Sequence, residues 1–455
     1  MHFTDRKIAV TLALSAGLVW IPIALSAGLF ADDLILSAWV ARTSWGSIFT
    51  GEAGPFILYM AYWKALLPLN PENPHITAHV IAALLHGAHC GLLFMLFRPL
   101  MQRRPALFWA IAASFYRAGS EALLWAAAIN DVLLGLLTTC TVLLWSKGGS
   151  TRRFRWVAIA PYAIALYSKP SAAGIVGICL AWSLFLEDNQ SLRRRVSGIL
   201  PPLAVMSGLG FVCALNAYFR PGYWAAIYPR VIPNGDFFSR MGEALFRGFV
   251  FFSPSTLHEV PVTGYLSLAA VLALFLLPSP AVRTGLLWAI SIQAIPVFVS
   301  DAAGSRYGYP ATGGYLLAAS GMVALALPDT ATRLHMKAVR SGIALWLLVS
   351  VLFLAWDIRC RITWGRLYAE TRQLLHQRKS DIIGAQAITA VRLPRILPYW
   401  QLIEYDFKMV PPRKLSAPEC PKDGSPCLVF RRDFPTSIST SYIRRDEWPF
   451  VVWGE

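Results

Sequence analysis

Two adjacent carboxylates, Asp32 and Asp33, stand directly after the first long apolar run of the chain, Ile8 to Phe30. That run carries no charge and is long enough to cross a bilayer. A carboxylate at a membrane boundary is costly unless it has a role, so the pair is a candidate site that could accept a proton or hold a cation. The alternative interpretation is a solvated helix end.

Cationic and imidazole groups recur at the ends of later apolar runs. Lys169 and Arg306 could stabilise a phosphate, Lys as a compact point charge and Arg through a bidentate contact. Snorkelling at a helix end is the alternative for both. His79 and His86 are roughly two helical turns apart, so they share one face. They could bind a polar ligand, or hydrogen-bond between helices.

Acidic and phenolic groups complete the candidate set. Asp131 and Glu121 could contact a polar ligand or belong to ion pairs that only support the structure. Tyr307 and Tyr309 follow closely after Arg306 and could line a ligand site beside it. Two adjacent carboxylates are too few ligands to establish a metal site, since hard cations take several oxygen ligands, so a divalent metal is left open.

Composition indicates which elements must position these residues. Of the 455 residues, 56% are hydrophobic and 17 are Trp, unlike a soluble domain. Only helices and closed barrels satisfy the backbone in lipid, and the apolar runs lack the strict alternation of a barrel. The sequence therefore predicts an all-α polytopic membrane protein with about eleven spans. They are placed near 8–30, 76–97, 106–117, 131–146, 156–168, 171–186, 199–218, 262–279, 286–300, 310–327 and 341–357.

The net charge of +16 is explained by topology, not by nucleic acid as a partner. Basic residues gather in alternate loops, at Arg6 and Lys7 and in 98–104, 147–155, 193–195, 283 and 333–340. Short basic loops mark the cytoplasmic side, which predicts a cytoplasmic N-terminus and an external C-terminus. In this orientation the candidate polar residues all fall on the outer side.

The predicted domains are a transmembrane module, 1–357, and an external C-terminal domain, 358–455. Two long external loops, 31–75 and 219–261, belong to the first. In the second loop the stretch 240–252 has the pattern of a helix in the interface plane, with charges on one face. The tail has a helical stretch around 361–379 and strand-like runs at Cys427–Phe430 and Phe450–Trp453, which predict a small α+β unit.

Two of the seven cysteines, Cys420 and Cys427, lie in the tail with Pro and Gly between them. Such a segment favours a turn, and in an oxidising compartment the pair is expected to form a disulfide. Zinc is not indicated, because no His or further Cys lies close by in sequence.

Five short motifs in this order resemble the C-type glycosyltransferase superfamily (GT-C), in particular its tetratricopeptide-linked O-mannosyltransferase-like branch, the protein O-mannosyltransferases and their bacterial relatives. No tetratricopeptide repeat is present. The motifs are Asp32-Asp33 after the first span, His79 and His86 as His-x6-His, Asn130-Asp131 before the fourth span, Ser168-Lys169-Pro170, and Ser305-Arg306-Tyr307-Gly308-Tyr309-Pro310.

The chain also departs from the family pattern. Ala53-Gly54-Pro55-Phe56 stands where the family has Tyr-Arg-Pro-Leu, and Pro170 replaces a Glu. Ile129 stands where an Arg precedes the acidic position, and Ala82 replaces an Asn between the two His residues. The departures bear on sugar specificity and activity.

The resemblance implies a membrane glycosyltransferase, a hexosyl- or pentosyltransferase, that moves a sugar from a polyprenyl-phosphate donor to an envelope acceptor (lipid, glycan or protein). Asp32 would be the general base of an inverting reaction, and Asp33 would orient it, bind the acceptor or hold a metal. Lys169 and Arg306 would bind the donor phosphate, and the substrate contacts would be His79, His86, Asp131, Tyr307 and Tyr309. No further cofactor is implied. The expected location is a bacterial inner membrane, among its lipids.

Three alternatives remain open at this point. A transporter or lipid flippase would carry ionisable residues within its spans, whereas here the polar groups gather at one face. A different GT-C activity, such as an O-antigen ligase or polymerase, would place basic groups and His in a large late loop. A non-catalytic assembly subunit is compatible with the missing motif residues.

Overall fold

The computed structural model describes fifteen stretches of the chain. They are residues 3–27, 31–50, 57–70, 73–117, 120–148, 152–187, 192–219, 236–250, 261–299, 305–327, 332–383, 387–391, 413–417, 427–430 and 451–454. Within some of these stretches only the backbone is described for certain residues, among them Asp32 and Arg306.

Helices dominate the described residues, and each predicted apolar segment coincides with a helix. The helices are α1 (Phe3–Ala27), α2 (Ala31–Arg42), α3 (Trp45–Thr50), α4 (Ile57–Leu66), α5 (Pro74–Phe97), α6 (Arg103–Ser114), α7 (Ser120–Leu124), α8 (Ile129–Lys147), α9 (Arg153–Val157), α10 (Ile159–Ser168), α11 (Ile175–Phe185), α12 (Leu192–Phe219), α13 (Asp236–Val250), α14 (Pro261–Ala273), α15 (Pro280–Val299), α16 (Thr312–Ala326), α17 (Arg333–Gln377) and α18 (Lys379–Ile383). Short 3-10 helices lie at Ala126–Ala128, Pro170–Gly174, Leu274–Leu276 and Ser305–Ala311.

Among the described residues, five helical segments are long and apolar enough to cross a bilayer. They are Phe3–Ala27, Pro74–Phe97, Ala126–Lys147, Val196–Leu215 and Arg333–Gln377. The chain is therefore a multi-pass helical membrane protein, as predicted. The count of about eleven crossings stays a prediction, because helices such as α10 and α11, with 10 and 11 residues, are short for a full crossing.

The bundle core is built on small residues at helix contacts. Helix α1 packs along α5, where a Cβ added at Gly91 would lie 2.7 Å from the Ala9 carbonyl oxygen. Only glycine permits that approach, and in lipid such close contacts supply packing energy that the hydrophobic effect does not. The long helix α5 thus presents its buried face, including His79, His86 and His89, to the interior of the bundle.

Helix α17 is 45 residues long and runs without interruption through the predicted boundary at 357/358. The predicted last span and the predicted tail helix are therefore one element. Because a helix rises about 1.5 Å per residue, it spans roughly 65 Å, about twice the apolar thickness of a bilayer. The division into two domains at 357 stays a prediction.

The tail strands form one four-stranded sheet of order β2-β1-β3-β4, with β1 at Ala387–Val391, β2 at Arg413–Ala417, β3 at Cys427–Phe430 and β4 at Val451–Gly454. Strand β1 pairs in parallel with β2 and β3, and β3 pairs antiparallel with β4. The two predicted strands are present, the second shifted by one residue. Cys427 is disulfide-bonded, and its predicted partner Cys420 lies outside the described residues.

The external helix predicted within 240–252 is present as α13, which begins earlier, at Asp236. Glu243 and Arg247 pair along it at 3.7 Å, as their spacing of four predicts. Burial lowers the pKa of the Arg247 guanidinium; the Glu243 carboxylate opposes that shift and the nearby charge of Arg117 adds to it. The position of α13 in the interface plane stays a prediction.

Candidate functional site

Asp33 is a buried carboxylate that joins α2 to the beginning of α8. Its Oδ1 accepts a hydrogen bond from the backbone N–H of Ala127 at 2.5 Å, and its own carbonyl accepts one from Ser37 Oγ at 2.6 Å. A carboxylate that accepts a backbone N–H at the start of a helix stabilises that start. The backbone of Asp32 lies in the same first turn of α2, while its side chain is outside the described residues.

The 3-10 segment Ala126–Ala128 is held from a second direction as well. The hydroxyl of Tyr59, in α4, donates to the carbonyl of Ala127, whose N–H is already bonded to Asp33. Both backbone groups of one residue are thus fixed by side chains from α2 and α4. This places the beginning of α8, and Asp131 in its first turn, at a defined point.

Asp131 forms a buried ion pair with Lys169. The Lys169 Nζ contacts Asp131 Oδ1, with the lysine side chain 10% and the aspartate side chain 2% exposed. The ammonium also lies 4.4 Å from the ring centroid of Tyr307, within range of a cation–π contact. The structure therefore brings three of the candidate site residues together.

The local chain path explains how Lys169 reaches this position. Helix α10 ends at Ser168, Lys169 adopts an extended backbone with φ −163° and ψ 131°, and Pro170 begins the next 3-10 turn. The residue before proline is driven out of the helical region, so the helix must end there. The lysine side chain leaves the helix end toward α8 rather than following the helix face.

The ammonium of Lys169 has donors to spare. It carries three N–H groups, and among the described residues its hydrogen-bond acceptor is Asp131 Oδ1. An anion reaching the exposed part of the side chain could take a further donor without breaking the ion pair. The pair itself is neutral, so an approaching phosphate would be attracted by oriented N–H donors more than by net charge.

Tyr309 is buried and forms a hydrogen bond with His86 of α5. Its hydroxyl lies 2.7 Å from His86 Nδ1, and His86 Nε2 lies 3.3 Å from the Ser114 carbonyl oxygen, which also accepts from Trp20 Nε1 at 2.7 Å. Since a carbonyl only accepts, Nε2 must carry the proton and Tyr309 must donate to Nδ1. Burial raises the pKa of the Tyr309 phenol well above its ordinary value, which keeps it a donor.

This geometry gives His86 a helix-to-helix contact. Both ring nitrogens are engaged by protein groups, and the ring also packs edge-on against Trp20 at 5.6 Å. The structure thus gives His86 the interhelical hydrogen bonding that was one of its two predicted roles. His79 is buried nearer the beginning of α5, where its ring lies 6.4 Å from that of His75.

His89 was not identified from the sequence, yet it packs edge-on against Tyr309 at 5.2 Å. Its Nε2 lies 3.4 Å from Thr139 Oγ1. A Cβ at Gly135 would lie 2.6 Å from the Tyr309 ring and 3.0 Å from His89, so glycine is needed there. The signal in the sequence was the spacing of three between His86 and His89, which places both on one side of α5.

Arg306 belongs to the same 3-10 helix, Ser305–Ala311, as the two tyrosines. Its backbone lies in that helix, and its side chain is outside the described residues. The helix is anchored where Trp288 Nε1 donates to the Pro310 carbonyl at 3.0 Å. Arg306 is therefore one residue from Tyr307, which contacts Lys169.

Glu121 forms an ion pair with Arg361 of α17 at 2.9 Å, which was one of the two roles that the sequence left open for it. Within the part of the chain that the structure describes, no group of three or more His, Cys, Asp or Glu side chains could hold a metal ion.

No protein-family model matches the chain, and no curated protein sequence matches it. Among solved structures it is similar to the oligosaccharyltransferase of Archaeoglobus fulgidus tethered to an acceptor peptide, with 11% identity and a TM-score of 0.48, covering 89% of this chain and 64% of that one. A structure of AglB from the same organism with an inhibitory peptide and a dolichol-phosphate gives the same values.

The apo form of the archaeal enzyme gives 9% identity and a TM-score of 0.46, covering 90% of this chain and 64% of that one. This chain thus spans less than two thirds of the length of these neighbours.

Proposed function

We propose that the protein is a GT-C-type glycosyltransferase that moves a sugar from a polyprenyl-phosphate donor to an envelope acceptor at the outer face of the membrane. The observation that supports this best is the convergence of residues from separate segments of the chain. Asp33 binds the segment that begins α8, Asp131 in α8 pairs with Lys169 after α10, and Lys169 contacts Tyr307. These are residues of the motifs that resemble the family.

The reaction requires a base rather than an acid. An acceptor hydroxyl attacks C1 of the sugar from the face opposite the phosphate, the C1–O bond to the phosphate breaks, and polyprenyl phosphate leaves with the bonding electrons. The leaving group is already a stable anion, so it needs no proton. The hydroxyl must lose its proton, and a carboxylate is the usual acceptor in inverting sugar chemistry. We assign that role to Asp32.

Asp33 has a different role in this proposal. Its carboxylate is buried, and its Oδ1 already accepts the backbone N–H of Ala127, so it serves to hold the chain in place. It positions α2, and with it Asp32, against the beginning of α8. The pair thus divides into one reacting and one positioning carboxylate.

Lys169 and Arg306 bind the donor phosphate in this account. Lys169 offers the N–H donors that remain beside its ion pair with Asp131, and Arg306 lies one residue from the tyrosine that Lys169 contacts. Donors fixed before the reaction stabilise charge on the departing phosphate without reorganisation. The clamp of His86 on Tyr309 keeps that 3-10 helix in place.

The same proposal extends to the substrates and the location. The sugar is a hexose or pentose, a hexose if the enzyme is mannosyltransferase-like, and the acceptor is a lipid, glycan or protein of the cell envelope. The location is a bacterial inner membrane with the N-terminus in the cytoplasm. The gathering of ionisable candidate residues at the ends of helices favours this function over transport.

The test is donor consumption by the purified full-length protein in nanodiscs. A panel of polyprenyl-phosphate hexoses and pentoses is supplied together with an extract of envelope glycans and lipids, and release of polyprenyl phosphate is measured by mass spectrometry. Release of one donor's lipid, with the sugar recovered on an acceptor in inverted configuration, is the expected result. Release equal to that of empty nanodiscs for each donor would refute the proposal.

A further inference from the structure

Two ion pairs join the region of α7 to the outer part of α17. Arg117 donates to both carboxylate oxygens of Asp357, from Nε at 2.9 Å and from Nη2 at 3.2 Å. Ser120 Oγ donates to the same carboxylate at 3.0 Å, and Arg361 Nη2 donates to Glu121 at 2.9 Å. Bidentate and charge-assisted bonds of this kind are directional as well as strong.

The two pairs are arranged reciprocally. In each segment the charges stand four residues apart, basic then acidic at Arg117 and Glu121, and acidic then basic at Asp357 and Arg361. A slip of α17 by one helical turn would place either two arginines or two carboxylates opposite one another. Arg361 is 7% and Glu121 18% exposed, so salt would screen that repulsion only weakly. The pairs therefore fix the register of α17 against α7.

The same segment continues directly into the candidate site. The Arg361 guanidinium lies 5.7 Å from the ring centroid of Trp125, the residue between α7 and the 3-10 turn. Two residues later the N–H of Ala127 bonds to Asp33, and Asp131 follows in the first turn of α8. Fewer than a dozen residues thus connect an anchor on α17 with the two site carboxylates.

We infer that Asp357 and Arg361 are positioning residues for the outer-face site, acting through α7 and the Ala126–Ala128 segment. They hold the peptide that Asp33 binds and the first turn that presents Asp131. This inference gives α17 a role in the site. Its catalytic consequence rests on the proposed function. The geometric consequence does not depend on that function and can be measured separately.

The geometric test is the protection of a buried cysteine. Ala128 is 1% exposed, so Ala128→Cys should react slowly with a membrane-permeant maleimide in the full-length protein. Adding Arg361→Gln or Asp357→Asn should raise that rate about tenfold or more, because the segment opens locally. Ala126→Cys, also at 1%, is a second probe if the first variant does not fold. Peptide mass spectrometry separates the probe from the native cysteines.

Two controls separate positioning from general loosening. Glu187→Gln breaks a comparably buried ion pair, with Arg155 at 2.6 Å, and should leave the probe protected. Ala110→Cys in α6, 0% exposed, should stay protected in the Arg361 variant. Arg361→Lys keeps the positive charge opposite Glu121 and the alternation of the two pairs, so it should leave the Ala128 probe largely protected.

The catalytic consequence is tested by measuring the rate of donor turnover. With a donor that the wild type consumes, Arg361→Gln should lower kcat about tenfold while the KM for donor stays within about twofold, and Arg361→Lys should retain most of kcat. If the wild type consumes no donor, the proposed function fails while the labelling still decides the geometric inference. The inference is overturned if the Arg361 and Asp357 variants protect the probe as the wild type does, if Glu187→Gln exposes it equally, or if kcat is unchanged.

Discussion

Replacing Asp131 by Asn is the sharpest test of the buried ion pair. The substitution keeps the shape of the side chain and one oxygen acceptor but removes the negative charge that faces Lys169 Nζ. The lysine side chain is 10% exposed, so its ammonium would be left in the protein interior with a neutral partner. Removing one partner of a buried pair lowers the free energy of unfolding by about 3–5 kcal/mol. Because the Asn side chain keeps one oxygen that can accept from Lys169, we expect a loss of about 3 kcal/mol.

That cost corresponds to roughly a 150-fold change in the ratio of folded to unfolded protein. The measurement is unfolding in mixed micelles of increasing SDS fraction, followed by the fluorescence of the 17 Trp residues. The matched control is Asp381→Asn, whose pair with Arg378 is 45% and 40% exposed and should contribute less than about 1 kcal/mol.

A double variant separates lost charge balance from lost packing. Asp131→Asn with Lys169→Met removes both charges, so it should unfold at a higher SDS fraction than Asp131→Asn alone. Asp131→Asn that is no more destabilising than Asp381→Asn would contradict a stabilising role of the buried Asp131–Lys169 pair. A double variant less stable than Asp131→Asn alone would contradict it as well.

Three further outcomes follow from the site and the tail. Arg306→Ala should reduce the rate of donor turnover on the order of 100-fold while the protein still folds. Arg306→Lys should recover only part of that rate, because Lys lacks the planar guanidinium group. Full activity of the Ala variant in the rate measurement would show that Arg306 only anchors a helix end. Tyr309→Phe should lower the free energy of unfolding by about 1 kcal/mol, since it removes the hydrogen bond to His86, and unchanged SDS unfolding would contradict that contact. Cys420 and Cys427 should be linked in protein isolated without reductant, and mass spectrometry that found both thiols free would contradict the external placement of the tail.

Several features of this fold were predictable because they depend on local pattern. The long apolar runs predict α1 and α5 closely, since a bilayer imposes length and composition on any spanning helix. The spacing of Glu243 and Arg247 predicts their pair on α13. The strand Cys427–Phe430 follows from its β-branched and aromatic residues.

The contacts between distant segments were not predictable in the same way. The sequence suggests Lys169 and Asp131 separately as site residues, but their pairing depends on how the end of α10 meets the beginning of α8. The contact of Asp33 depends on the backbone N–H of Ala127, which no side-chain motif reveals. Resemblance to a family marked these positions without giving their partners.

Helix α17 shows a further limit of pattern reading. Asp357 and Arg361 follow an apolar run, so charge alone suggests that a span ends and a separate tail begins at that point. Helical propensity continues through them, and their charges are satisfied by Arg117 and Glu121 more than two hundred residues earlier in the chain. In the local sequence, charged residues that pair with distant partners therefore look like the solvated end of a membrane span.

The central claim, that the outer-face carboxylate Asp32 activates an acceptor hydroxyl, is tested most directly by one comparison. Purified wild type, Asp32→Asn and Asp381→Asn are supplied with the donor that the wild type consumes, and sugar transfer to the acceptor is measured after insertion and folding are verified. We expect sugar transfer by the wild type and by Asp381→Asn, and none by Asp32→Asn, because the amide cannot accept the proton. Transfer by Asp32→Asn at a rate near that of the wild type would contradict it.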